Sequence, residues 1–426
     1  MKIKVIEADY DTAIASKQVK KFVPKKPNIL FRTLLKIVCA PDLIATKFKL
    51  NKINMDKLGK KEPCLYLMNH SSFIDPKIAL SSLYPKPVNI ISTLDGLVGK
   101  RWLMRNLGCV PTRKYVPDLG LIKDMNYCLK TLKSSVLMYP EAGYSFDGTA
   151  IPLPASLAKC VKLLGVPVVF IKTYGAFLRD PLYNNLQLRK VKTSADMEYI
   201  LSPEDIKKMS VNEIDEVLKN KFTFDEFKWQ KENSIKIDEP FRADGLNRVL
   251  YKCPACKTEN QMLGKGTKIV CEHCKKEYYL DEYGTLSATN GITEFDHIPD
   301  WYAWERDEVK KEILDGTYGL TTDVDIYLLL DTKGLYKVGD GVLTHDENGF
   351  TLKGCDDKID FKQSPLYYHS LNADYFWYEI GDVIAIGDND VTYYCFPKNC
   401  PRDIVTKTRF AVEELYKLKK QEKTAK

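Results

Sequence analysis

Cys253-Pro254-Ala255-Cys256 and Cys271-Glu272-His273-Cys274 are two C-x2-C knuckles fourteen residues apart, with Gly264 and Gly266 between them to turn a hairpin. Four thiolates on two knuckles close tetrahedrally on one ion, and zinc is the ion they suit. A closed site of that kind is structural rather than catalytic. The knuckles predict a zinc ribbon over 246–285, a rigid spacer or protein-docking module that divides the chain. His273, inside the second knuckle, is expected at the surface and not as a ligand. The other eight of the twelve cysteines are scattered, which fits reduced thiols plus one metal site rather than a disulfide framework. Lys252, Lys257, Lys265, Lys268, Lys275 and Lys276 around the knuckles are partly balanced by Glu259, Glu272 and Glu277, so nucleic acid is not an expected partner.

On the N-terminal side the pattern is α/β. Cys64 to Asn69, Val136 to Tyr139 and Val166 to Ile171 are short apolar runs ending in Gly, Ser, Pro or Asp, the signature of buried strands. Helical stretches around Leu121 to Leu132 and Leu157 to Leu164 lie between them, as a sheet flanked by helices requires. The charged helical stretch from Ser202 to Glu239 closes this unit, which is placed at 27–240 after an arm at 1–26. From Pro27 to Leu50 two amphipathic segments broken at Pro41 are expected. The first carries Leu30, Phe31, Leu34, Leu35 and Val38 at helical spacing, with Arg32 and Lys36 on the other face. Such a helix suits a membrane surface or the protein's own core. No window of about eighteen apolar residues exists, and the first residues lack a secretory pattern. A cytoplasmic protein in peripheral or monotopic contact with a membrane is expected. The net charge of +7, from 64 basic and 57 acidic residues, is compatible with that surface but does not demand it.

After a connector at 286–323 that contains Trp301 and Trp304, residues 324–426 read as short strands. They are Ile326 to Leu330, Leu335 to Val338, Phe350 to Lys353, Tyr375 to Ile380 and Val391 to Phe396, with turn signals such as Glu347-Asn348-Gly349 between them. A last helix carries Ile404, Ala411, Val412, Leu415 and Leu418 on one face. Strands closed by one amphipathic helix resemble a pleckstrin-homology-like unit.

The chemistry sits near the first buried strand. Asn69-His70-Ser71-Ser72-Phe73-Ile74-Asp75 puts a histidine at the strand's end and an aspartate five residues on. An imidazole accepts a hydroxyl proton when a carboxylate holds its other nitrogen. The spacing alone is weak, since His369 and Asp374 repeat it; those two are read as a coincidence in the strand-rich region. Three further segments follow His70 in order: Gly108-Cys109-Val110-Pro111-Thr112-Arg113-Lys114, Tyr139-Pro140-Glu141-Ala142-Gly143-Tyr144-Ser145, and Gly165-Val166-Pro167-Val168-Val169-Phe170. Together the four segments, over about residues 60–175, resemble the four blocks of the PlsC-like lysophosphatidate acyltransferase family. That resemblance implies an α/β fold, an acyl-CoA or acyl-carrier-protein donor and a lyso-glycerolipid or glycerol-phosphate acceptor. It makes His70 the general base, Asp75 its orienting partner and Arg113 the holder of the acceptor's phosphate. Glu141, with Gly143 and Ser145 beside it, falls in the acceptor site. The hydroxyl would attack the thioester directly, without an acyl-enzyme, and backbone N–H groups would stabilise the oxyanion.

The third block departs from the family's P-E-G-T-R-S: Ala142, Gly143 and Tyr144 stand where glycine, threonine and arginine are expected. One phosphate contact is therefore missing, and only Arg113, with Lys114, remains to neutralise that group. Two rival readings follow. Gly143-Tyr144-Ser145-Phe146-Asp147-Gly148 nearly matches the G-x-S-x-G of serine hydrolases, with its second glycine one place late. The altered block would also suit a non-catalytic lipid-binding or scaffold protein.

Overall fold

The computed structural model describes residues 2–17, 22–115, 119–399 and 403–425. A seven-stranded sheet runs in the order Lys49–Ile53, Ser194–Leu201, Val168–Tyr174, Leu65–Met68, Ser135–Met138, Val88–Thr93 and Cys109–Thr112. All neighbours are parallel except Ser194–Leu201 against Val168–Tyr174. The central strand Leu65–Met68 is buried along its whole length, which is why it reads as an unbroken apolar run. Leu65 and Leu67 share one core with Val161, Leu218 and Phe222, from the helices Leu157–Leu164 and Val211–Phe222. Tyr66 and Met68 point the other way, into a core with Cys39, Leu43, Ile78 and Ala79 from the helices Ile29–Ala45 and Asp75–Leu83. Helix starts after the sheet are written in sequence, since Ser202 with Asp205 and Ser210 with Glu213 both form reciprocal capping boxes.

Four antiparallel strands carry the knuckles: Met262–Lys265, Lys268–Cys271, Glu277–Leu280 and Leu286–Ala288. The helix Ile298–Leu314 packs on them through the fully buried Trp301, whose indole N–H donates to the Lys252 carbonyl at 3.0 Å. In the C-terminal unit Leu320–Leu329, Leu335–Asp346, Gly349–Gly354 and Ile359–Gln363 form one antiparallel meander. Asn372–Trp377, Gly381–Gly387 and Thr392–Lys398 form a second, and Leu320–Leu329 pairs with Thr392–Lys398 to join them. The helix Ile404–Ala425 covers this sheet. One core runs through all three parts, from Phe146 and Phe177 through Tyr251, Tyr278 and Trp301 to Tyr375 and Phe410.

Several expectations need correction. The arm at 1–26 is not separate: Val5–Glu7 pairs in parallel with Leu335–Lys337 and so belongs to the C-terminal sheet. The sheet that carries the knuckles extends past 285 to Ala288. The connector at 286–323 contains both that strand and a 17-residue helix, and the first strand of the C-terminal unit begins at Leu320, before 324. Pro41 does not divide two segments, because one helix runs from Ile29 to Ala45. A proline inside a helix removes a single backbone hydrogen bond. Here both halves are anchored, Cys39 and Leu43 by burial and Asp42 by ion pairs to Lys77 and Arg179. The helix also faces differently from the reading in which it buries its apolar stripe: Leu30, Leu34, Ile37, Val38 and Ile44 are all more than half exposed. Among the described residues no helix is long and apolar enough to cross a membrane.

Candidate active site

His70 and Glu141 leave the carboxyl ends of two adjacent parallel strands, Leu65–Met68 and Ser135–Met138. In an open parallel sheet a crevice forms outside those ends. The two residues are tied directly: the backbone N–H of His70 donates to Glu141 Oε2 at 2.8 Å, and Ile151 N–H donates to Oε1 at 3.0 Å. With both oxygens engaged by main chain, Glu141 braces the loop that carries His70. In these contacts Glu141 positions main chain. Burial pushes its carboxyl up to about 7, against the two N–H bonds.

The imidazole of His70 stands with Nδ1 3.2 Å from Asp75 Oδ2. Asp75 is fully buried at the start of the helix Asp75–Leu83, and its Oδ2 also accepts Ser71 N–H at 2.7 Å and Ser72 N–H at 2.8 Å. Its Oδ1 lies 3.2 Å from the hydroxyl of Thr173, which also contacts Asn69 Oδ1 at 3.1 Å. A carboxylate so fixed holds Nδ1 as the donor and leaves Nε2 to act on a substrate proton. Tyr139 and Tyr144 flank the imidazole, with ring centroids 4.4 and 4.2 Å away, and Phe73 stacks on Tyr144 at 5.1 Å. Asn69, Thr173, Tyr139 and Tyr144 were not picked out for these roles by sequence reasoning. Their one available signal was position, at or beside the carboxyl ends of the predicted strands.

The third block turns sharply after Glu141. Ala142 sits at a left-handed φ of 55°, a conformation that favours glycine and costs an alanine about 1 kcal/mol. That accounts for the glycine in the pattern this block resembles. A side chain on Gly143 would meet the hydroxyl of Tyr115, 3.1 Å from where its Cβ would lie, and that hydroxyl donates to the Glu141 carbonyl at 3.3 Å. Gly143 thus makes room for this brace. Ser145 is buried; its hydroxyl donates to the Thr149 carbonyl at 2.7 Å and accepts Gly148 N–H at 2.9 Å. Engaged in both directions, this hydroxyl forms the turn.

Arg113 is the largest correction. Its guanidinium donates to the Leu329 carbonyl at 3.1 Å, to the Thr392 hydroxyl at 2.9 Å and to the Asp390 carbonyl at 3.1 Å, all in the C-terminal unit. None of these partners is His70, Asp75 or Glu141. Lys114 is ion-paired with Asp374 at 3.4 Å. His369 makes no bond with Asp374, as expected of a coincidental spacing, but it lies closer to the site than its strand-rich setting suggested, with its ring 5.2 Å from that of Tyr115. The four cysteine sulfurs gather within 4.8 Å of one another, with Cys253 to Cys274 and Cys256 to Cys271 each at 3.7 Å. Zinc–sulfur bonds of about 2.3 Å place tetrahedral thiolates about 3.8 Å apart, so the cluster fits such an ion.

Residues 49–172 match a family model described as Acyltransferase. A 117-residue stretch is 29% identical to the 1-acyl-sn-glycerol-3-phosphate acyltransferase BAT2, chloroplastic, of Brassica napus, covering 26% of this chain and 33% of that protein. The chain thus spans about a third of the length of the curated relative it matches. The crystal structure of the 1-acyl-sn-glycerophosphate (LPA) acyltransferase PlsC from Thermotoga maritima is 18% identical, with a TM-score of 0.34, over 44% of this chain and 77% of that one.

A third buried carboxyl, that of Glu226, lies within electrostatic reach of Asp75. Glu226 accepts Gly175 N–H at 3.1 Å through Oε2, while Oε1 has no partner, and burial pushes the group up to about 8. A folded pKa raised above the unfolded value means that the folded state binds more protons between the two. Stability therefore falls as pH rises from about 4.5 to about 8 on account of this group. Chemical denaturation between pH 5.5 and 8 is expected to show that decline. Glu226→Gln should flatten it by up to about 1.4 kcal/mol per pH unit, the linkage value for one proton.

Proposed function

We propose that the protein, whose residues 49–172 match a family model described as Acyltransferase, moves a fatty acyl group from acyl-CoA or acyl-carrier protein onto the hydroxyl of a lyso-glycerolipid. The observation that carries this reading is the His70 Nδ1 contact with Asp75 Oδ2, beyond the carboxyl end of the strand Leu65–Met68. Nε2 of His70 takes the proton of the acceptor hydroxyl as its oxygen attacks the thioester carbonyl. The carbon–sulfur bond breaks, an ester bond forms, and the proton passes from imidazolium to the departing thiolate. Asp75 keeps the imidazole in the required tautomer and offsets its charge while protonated. Glu141, through the His70 backbone, fixes where the strand ends. The serine-hydrolase reading loses its basis, since Ser145 is engaged in its own turn.

The acyl chain and the acceptor both live in membranes, and the exposed face of the helix Ile29–Ala45 supplies a surface to meet them. The proposed reading is peripheral docking, with that face in the headgroup layer. The knuckle cluster is read as a structural zinc site held by Cys253, Cys256, Cys271 and Cys274, tying together the strands on which the helix Ile298–Leu314 packs. The C-terminal unit is read as pleckstrin-homology-like, on its two meanders and closing helix.

Three outcomes test these readings. His70→Ala should lower thioester-dependent acylation of a lysolipid by about 10²–10⁴-fold in a radiolabel assay, whereas unchanged transfer would remove the general-base assignment. Replacing Leu34 and Ile37 together by Glu should cut co-sedimentation with phospholipid vesicles while leaving the circular dichroism spectrum unchanged. Thiol modification of the purified chain should release one equivalent of zinc into a colorimetric chelator, and Cys271→Ser should abolish that release and lower the melting temperature.

A further inference from the structure

The groups around His70 are disposed against a phosphate. Arg113 is held by three acceptors of the C-terminal unit, and Lys114 is paired with Asp374. The third nearby cation, Arg409 on the C-terminal helix, is buried; it donates to Glu413 Oε1 at 3.3 Å and to the Tyr144 carbonyl at 3.3 Å, and lies over the Phe146 ring at 4.4 Å. Each cation that the second block or the C-terminal helix brings near the site therefore already neutralises or caps another protein group. At the third-block position where the resembled family has arginine stands Tyr144, its ring against His70.

What faces the imidazole instead is aromatic and hydroxylic. Tyr139 lies on one side of it, and its hydroxyl is buried without a partner. Tyr144 lies on the other. Asp374 is buried with Oδ1 unpartnered, and it contributes most, after burial itself, to holding the Tyr144 hydroxyl protonated. A buried carboxylate oxygen and a buried phenol without partners favour a ligand that donates and accepts hydrogen bonds without charge. A phosphate dianion brought there would meet the carboxylates of Asp75 and Asp374, with Lys114 already paired to the latter and Arg113 and Arg409 already engaged by other groups among the described residues.

We propose that the acyl acceptor is an uncharged acylglycerol, a glycerolipid that presents free hydroxyls and no phosphomonoester. The inference rests on the acyl-transfer reading above and narrows its acceptor. Chemically the step is unchanged: thioester and acylglycerol hydroxyl give a diacylglycerol ester and a free thiol, with the hydroxyl proton ending on sulfur. The C-terminal unit is then part of the acceptor site, since it supplies Asp374 and keeps the guanidinium of Arg113 engaged by its own acceptors, as Arg409 is by Glu413 and Tyr144.

The test presents full-length protein with one acyl-thioester, as acyl-CoA and separately as acyl-carrier protein, and with 1-acylglycerol or 1-acylglycerol-3-phosphate of the same chain in identical mixed micelles. The expected result is a kcat/KM on 1-acylglycerol higher by roughly tenfold or more, with Tyr144→Arg shifting that ratio toward the phosphate by a similar factor. Equal or faster acylation of 1-acylglycerol-3-phosphate by the wild type overturns the proposal while leaving acyl transfer intact. Acylation of neither lipid with either donor overturns acyl transfer itself, and the acceptor proposal with it. Should Tyr144→Arg fail to fold, the wild-type ratio decides alone.

Discussion

The structure around His70 depends on one carboxylate. Asp75 takes in two main-chain N–H groups and the imidazole through a single oxygen, and a threonine hydroxyl reaches its other oxygen. A fully buried carboxylate is costly unless its lone pairs are filled, and these donors fill them. Ser71 and Ser72 donate to it because the chain between His70 and the helix Asp75–Leu83 turns back on itself. Orientation of the imidazole and the shape of the loop are therefore one interaction. Glu141 does the equivalent work one strand away, so the loops leaving two adjacent strands are locked by side chains reaching main chain.

Much of this could be read in the sequence, where local rules operate. The central strands were visible as apolar runs because both faces of a parallel sheet are covered, and His70 with Asp75 was visible because both lie in one short segment. The cysteine knuckles were visible for the same reason. Long-range contacts decided the rest. The strand Val5–Glu7 carries no sign that its partner is Leu335–Lys337. Arg113 looks like a phosphate ligand until the strands that contain Leu329 and Thr392 are placed beside it. Leu30, Leu34 and Val38 have helical spacing, but spacing does not say which face the sheet will cover, and the sheet covers Cys39 and Leu43 instead.

The C-terminal unit is more than an appendage. It shares a core with the first unit through Phe146 and Phe177, and a second apolar cluster joins Val98 to Leu329, Trp377 and Tyr394. Polar contacts add to this, among them the Tyr378 hydroxyl on Asp95 at 3.1 Å and Gly99 N–H on the Thr332 carbonyl at 2.9 Å. Apolar burial on that scale favours a fixed arrangement over a hinged one.

The parallel pairing of Val5–Glu7 with Leu335–Lys337 has a consequence for the order of events during synthesis. The ribosome makes that short strand hundreds of residues before its partner. Until the later strand emerges, its backbone donors and acceptors are an open edge that could template pairing with another nascent chain. Lys2, Lys4 and Glu7 place charges along that edge, the usual device for keeping an unpaired strand solvated. Such a distant pairing also closes a very long loop, which slows the last step of assembly. The earlier-made strand of this pair is thus among the last to lock in place.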